Sequence, residues 1–159
     1  MSKIIYTNNA AFNAVGIACM NACDAAEIDD KALGLTEPVI VISNSFNNAV
    51  ASDVMAIMLS HEEGHIALGH CKLTEGEGTY QGLGADAING FEIAADGYAA
   101  TIHGAAAVLS ALELFVETYI EVNFGDVVHD ECFSDTLTLI RKQVSDSMGP
   151  RFDALRSLM

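Results

Sequence analysis

The sequence predicts a single α+β domain that is mainly helical, with a small β-sheet. The chain has 159 residues, enough to bury a core and typical of one domain, so we expect residues 1–159 to form one unit. Hydrophobic residues make up 51% and charged residues only 18%, a balance that argues against disorder. Much of the apolar content is alanine, which favours closely packed helices.

Two strands and one helix are predicted in the first third of the chain. Residues 3–7, "KIIYT", favour a short strand, and residues 10–28 place apolar side chains at helical spacing. Residues 38–43, "PVIVIS", are the clearest strand, because a β-branched run is followed by the polar turn "NSFNN". Its opening proline is typical of an edge strand, and an exposed edge can pair with an extended peptide.

The middle of the chain predicts two helices separated by a loop. The first helix covers residues 52–69 and has Ser52 or Asp53 as its N-cap. Residues 72–90 contain five glycines and predict a long loop, which is often functional in a compact domain. Residues 91–103, "FEIAADGYAATIH", predict the second helix.

Two further helices and a short final one are predicted in the last third. Residues 105–122 form a helix on which three glutamates, four residues apart, make one polar stripe. Residues 134–148 form the next helix, capped by Ser134 or Asp135. The pair Gly149-Pro150 should break that helix before the short final one.

The charge balance excludes several classes of partner. With 7 Lys+Arg against 22 Asp+Glu the net charge is −15, and phosphate binding needs clustered cations, so neither a nucleic acid nor an anionic membrane is an expected partner. The sequence has no signal-peptide pattern and no apolar run of about 18 residues that could span a membrane. We therefore expect a soluble, cytoplasmic protein.

The four cysteines do not predict a disulfide framework. Cys19 and Cys23 are four residues apart on a predicted helix, while Cys71 and Cys132 are isolated. Free thiols in a reducing compartment are the expectation. A metal site on Cys19 and Cys23 would need two further ligands, and none are found nearby.

Residues 61–70, "HEEGHIALGH", contain the strongest chemical signal in the chain. His61 and His65 are one helical turn apart, so their imidazoles lie on one face and can share a cation. Glu62 lies about 100° around the helix, where it can reach a metal-bound water without being a ligand. This H-E-x-x-H arrangement is typical of zinc peptidases, in which the glutamate takes a proton as the water attacks a carbonyl.

Glu92 is the predicted third ligand. A catalytic zinc needs three protein ligands and an open fourth position. Asp96 follows Glu92 by one turn, and a carboxylate there can accept the outer N–H of a zinc-binding histidine. His70 is the alternative ligand, but on an unbroken helix it points about 180° away from His61. We expect a surface or supporting role for His70.

The residues His61, Glu62 and His65, followed by Glu92 and Asp96, carry a family resemblance. The pattern H-E-x-x-H with E-x-x-A-D resembles the gluzincin peptidases of the CAAX prenyl protease and HtpX-like heat-shock peptidase group. The resemblance implies a zincin-like fold, with a small sheet packed on the H-E-x-x-H helix and one zinc per chain. It also implies a peptide or protein substrate. The familiar members are embedded in membranes, whereas this sequence predicts a small soluble version.

Two other classes of function and one unassigned role stay open at this point. A protein of the same fold can bind zinc and a partner with little cleavage, although such a regulator would be expected to lose Glu62. A di-iron carboxylate protein would need a second E-x-x-H, which the sequence lacks. Four side chains are candidates to stabilise an oxyanion, namely Tyr80, Tyr98, His103 and His129.

Overall fold

The computed structural model describes residues 2–72, 84–128 and 134–159. It confirms a mainly helical α+β fold with a small mixed sheet. The strands are β1 (Lys3–Thr7), β2 (Ile17–Met20) and β3 (Val39–Ser43). Among the described helices, none combines the length and the apolar character that a bilayer-spanning segment requires.

Strand β3 is the centre of the sheet, not its edge. The strand order is β1-β3-β2, with β1 parallel and β2 antiparallel to β3. The predicted strand is therefore confirmed and its predicted edge position is wrong. All five residues of β3 are buried, because Ile40 and Ile42 face one hydrophobic core while Val39 and Val41 face another. A strand covered on both faces has a continuous apolar sequence, as "VIVIS" does.

The predicted helix over residues 10–28 is wrong, since this segment contains a turn of 3-10 helix, strand β2 and helix α1 (Ala22–Ile28). Gly16 separates the first two elements with a φ of +81°, a conformation that L side chains rarely adopt. Asn21 then begins α1, because its side chain accepts a hydrogen bond from the backbone N–H of Asp24. These breaks override the helical spacing of the apolar residues.

Five further helices form most of the rest of the described chain. They are α2 (Asn44–Ala49), α3 (Ser52–Ala67), α4 (Ala85–His103), α5 (Ala105–Val128) and α6 (Ser134–Arg156). Helix α3 packs between the sheet and α4, and α6 packs on both α4 and α5.

The ends of α3 and α4 differ from the predicted ones. Ala51 occupies the N-cap position of α3 without a side-chain hydrogen bond, so Ser52 and Asp53 are not the cap. Helix α3 ends two residues early, ahead of Gly69 with its φ of +78°. Helix α4 begins at Ala85, six residues before the predicted start, so the last part of the predicted loop is helical. Residues 73–83 of that loop lie outside the described residues.

Helices α5 and α6 are longer than predicted. The glutamate stripe of α5 is exposed as expected, and α5 continues to Val128 with a kink at Phe124. Pro150 lies inside α6, which runs on to Arg156, so the predicted break is wrong. Leu155, beyond the proline, is buried in the core, and this packing holds the last turns in the helix. Side chains of residues 134–137, including the predicted caps, are outside the description.

Cys19 and Cys71 form a disulfide, contrary to the expectation of free thiols. The sheet brings β2 beside the residues that follow α3, so the two Cα atoms lie 6.4 Å apart although 52 positions separate them in sequence. Cys23 is free and exposed, so it does not form a metal site with Cys19. Cys132 lies outside the described residues. Disulfides are typical of oxidising compartments, so this pairing gives no support to the cytoplasmic expectation.

Candidate metal centre

Helix α3 places His61 and His65 on one buried face. Their exposed fractions are only 5% and 3%, and their Nε2 atoms lie 3.0 Å apart. The two Nε2 atoms therefore face the same point, as the one-turn spacing in the sequence predicts. Burial also removes the competing water that surrounds an exposed histidine.

Helix α4 brings Glu92 to the same point. One oxygen, Oε2, lies 3.3 Å from Nε2 of His61, and the other, Oε1, lies 3.4 Å from Nε2 of His65. The approach is possible because Gly64 has no side chain where α3 meets Ala95 of α4. A Cβ on Gly64 would stand 3.2 Å from the Ala95 Cα. The side chain at position 92 therefore faces the histidines, as the sequence predicts.

The separations between the three side chains fit one tetrahedral ion. Bonds of about 2.0 to 2.2 Å at tetrahedral angles place ligand atoms about 3.3 to 3.6 Å apart. The two separations from Glu92, 3.3 Å from Oε2 to His61 and 3.4 Å from Oε1 to His65, lie in this range, and the two Nε2 atoms are slightly closer, at 3.0 Å. Two imidazoles and one carboxylate are also the ligand set of many catalytic zinc sites. Within the described residues, this is the group of three that can hold a metal ion.

Each histidine is held by a partner on its other ring nitrogen. Nδ1 of His61 is 2.8 Å from Oδ1 of Asp96, which is the contact predicted for that aspartate. Nδ1 of His65 is 2.9 Å from Nδ1 of His70, whose ring stacks on Phe91 at 4.3 Å. Such contacts fix the tautomer and orientation of a ligand ring. His70 thus contacts His65 and lies outside the group of three that could hold an ion.

Arg151 completes the centre and was missed in the sequence. Its Nε and Nη2 donate to the two oxygens of Asp96 at 2.7 Å each, and its Nη1 lies 3.0 Å from Oε2 of Glu92. Arg151 belongs to the part of α6 beyond Pro150, where a helix break was predicted. No motif spacing connects it to the other residues, so only tertiary packing shows its role.

Charges and hydrogen bonds hold the acids of this centre ionised. Burial alone raises the pKa of Glu92, but hydrogen bonds from both histidines and the charge of Arg151 lower it below its ordinary value. The pKa of Asp96 is likewise lowered by Arg151 and His61 against the effect of burial. Burial alone lowers the pKa of His61, but hydrogen bonds to Asp96 and Glu92 raise it to about 9.

Glu62 faces the same cleft without joining the ligand group. It is buried, and its Oε2 accepts a hydrogen bond of 2.7 Å from the backbone N–H of Cys19 on β2. The cleft beside it has a volume of about 290 Å³ and is lined mainly by apolar side chains, among them Ile17, Met58 and Phe115. This volume can hold a water and one small side chain of a bound molecule, beside a carboxylate that is fixed in orientation.

The candidates for oxyanion stabilisation are not brought to the centre within the described residues. His103 is 2.8 Å from the hydroxyl of Ser60, and Tyr98 lines a separate groove with Ser60 and Ile102. Neither residue lines the cleft of Glu62. Tyr80 and His129 lie outside the described residues.

Comparisons with known proteins give no further guide to the site. No protein-family model matches the chain, and neither the curated proteins nor the solved structures contain a significant match. The chemistry is therefore argued from the geometry above.

Proposed function

We propose that the protein is a zinc-dependent endopeptidase of the gluzincin type. The single observation that carries the proposal is the convergence of His61, His65 and Glu92 on one point, with separations close to those around a tetrahedral ion. Zinc is proposed over other metals because two imidazoles and one carboxylate suit it, and because three protein ligands are the number that one catalytic zinc ion binds. Peptides or proteins are the proposed substrates.

Glu62 is the proposed general base. A zinc ion held by these residues would supply a polarised water whose pKa falls toward about 7. Glu62 would take a proton from the attacking water and pass it to the leaving amine. The hydrogen bond from Cys19 N–H occupies one carboxylate oxygen, Oε2, and orients the group within the cleft.

Strand β2 is the proposed place for an extended substrate. The sequence suggested β3 for this role, but β3 has a strand on each side and has no open edge. Strand β2 is an edge strand, and its Cys19 N–H points at Glu62. A peptide that pairs along this edge would pass beside the general base.

The deciding experiment is digestion of a peptide library by the wild type, by Glu62→Gln and by the matched control Glu63→Gln, with zinc content measured in all three. Glu62→Gln should retain zinc and lose at least about 100-fold in turnover, because a general base contributes about 10²- to 10⁴-fold. Glu63, the next residue of α3, binds the backbone N–H of Ser2, so its variant should keep its turnover.

Two results would overturn the proposal. Equal cleavage by the wild type and Glu62→Gln would remove Glu62 as the base. Zinc binding without cleavage by any of the three proteins would favour the second candidate, a zinc-binding regulator that binds a partner. The intact Glu62 and its open cleft favour the enzyme.

A further inference from the structure

Arg151 holds the two acids of the centre in one rigid arrangement. Its guanidinium forms a fork on Asp96, with two hydrogen bonds of 2.7 Å, and a third contact of 3.0 Å to Glu92. Only 12% of the Arg151 side chain is exposed, so water competes little for these donors. A planar guanidinium in a fork of this kind has its orientation fixed.

The contact distinguishes the two oxygens of Glu92. Oε2 lies 3.0 Å from Nη1 of Arg151 as well as 3.3 Å from Nε2 of His61, while Oε1 lies 3.4 Å from Nε2 of His65. The fork on Asp96 fixes the direction of Nη1, so this N–H engages Oε2 and makes it a poorer ligand for a metal ion, whereas a lysine ammonium lacks the fork that aims it. Oε1 is therefore the stronger metal ligand of the two.

We propose that Arg151 is a positioning residue that makes Glu92 bind the metal through one oxygen only. This inference rests on the proposed metal site. Three protein donor atoms leave the fourth tetrahedral position open for water, whereas a carboxylate that bound through both oxygens would fill it. Arg151 thus keeps the site in the open form that catalysis needs.

A purely structural role for Arg151 gives a different expectation. Arg151 also neutralises buried Asp96, and removing it would destabilise the fold whatever its effect on Glu92. Arg151→Lys separates the two roles, because lysine keeps the charge and loses the planar fork.

The test uses cobalt(II) in place of zinc, since four-coordinate cobalt absorbs visible light more strongly than five-coordinate cobalt. The proteins are the wild type, Arg151→Met, Arg151→Lys and the control Arg156→Met. Arg156 lies on the same helix, is exposed and pairs with Asp153. Zinc affinity is measured in parallel by competition with a chelator.

We expect both Arg151 variants to lose about twofold or more of the visible absorption as Glu92 binds through both oxygens. Zinc affinity should fall about 10- to 100-fold in Arg151→Met, as it does when the support of a ligand is removed. Arg156→Met should match the wild type in both measurements.

Three results would overturn the inference. An unchanged spectrum in Arg151→Lys, or in folded Arg151→Met, would reduce Arg151 to a structural role. A full recovery of the spectrum by Arg151→Lys, when Arg151→Met has lost it, would show that charge alone suffices. A wild type that binds neither cobalt nor zinc would remove the metal site itself, and the proposed function with it.

Discussion

The Cys19–Cys71 disulfide should contribute a large part of the stability of the fold. It joins β2 to the residues directly after α3 across 52 positions of sequence. For a loop of this length, the loss of unfolded-chain entropy corresponds to about 4 kcal/mol of unfolding free energy at 25 °C. The unfolding free energy of typical domains is about 5 to 15 kcal/mol, so the disulfide would account for a large fraction of the total.

The perturbation is made in two independent ways, by reducing the wild type and by Cys71→Ala. Alanine suits position 71 because that side chain is buried and apolar. Urea unfolding of the metal-free protein should show a loss of about 4 kcal/mol in both cases relative to the oxidised wild type. Cys23→Ser is the control, because its thiol is free and exposed, and it should stay within about 0.5 kcal/mol.

The disulfide also touches the metal centre from both ends. The backbone N–H of Cys19 holds Glu62, and Cys71 follows His70, which holds His65. Non-reducing peptide mapping should identify the Cys19–Cys71 pair directly. The reasoning is refuted if the mapped pair is present and yet reduction and Cys71→Ala leave the unfolding free energy unchanged.

Three further predictions concern the metal. Gly64→Ala should cost about 1–3 kcal/mol of stability and weaken zinc binding, because a Cβ there would meet atoms of α4 at 3.0 to 3.2 Å. Gly97→Ala is the control, because a Cβ at Gly97 would meet nothing within 4 Å, and in urea unfolding it should raise the free energy of unfolding by up to about 1 kcal/mol. Equal effects of the two substitutions on the free energy of unfolding would count against a close contact between α3 and α4. Zinc binding at pH 7 should release about one proton from His61, because its pKa is raised to about 9 and the ring must lose a proton to bind the ion. Calorimetry in two buffers of different ionisation enthalpy measures the number of protons released. If no proton is released, the His61 ring is already neutral at pH 7. In equilibrium dialysis, Glu92→Ala should lose its zinc, while the zinc affinity of His70→Ala should fall by only about 10- to 100-fold. A larger loss of zinc affinity in His70→Ala than in Glu92→Ala would make His70 the ligand.

Local spacing explains why most of the centre was predictable. His61 with His65, and Glu92 with Asp96, are each one helical turn apart, so their shared faces follow from helix geometry. The contact between α3 and α4 was inferred only from chemistry, because a catalytic zinc needs a third protein ligand and Glu92 could provide it. The structure brings Glu92 to the rings and Asp96 to the outer nitrogen of His61, as that chemistry requires.

The parts that were not predicted depend on long-range contacts. Arg151 reaches the centre only because α6 continues through Pro150, which local propensity disfavours. The Cys19–Cys71 bond depends on β2, a strand of four residues that the helical spacing of residues 10–28 concealed. The left-handed Gly16 and the cap at Asn21 were the local signals that could have revealed that strand.

Anomalous diffraction from zinc-loaded crystals at the zinc absorption edge tests the central claim most directly. We expect one strong peak per chain, about 2.0 to 2.2 Å from Nε2 of His61, Nε2 of His65 and one oxygen of Glu92. A peak centred on other side chains, two peaks in this cleft, or fully loaded crystals without a peak between the two imidazoles would contradict it.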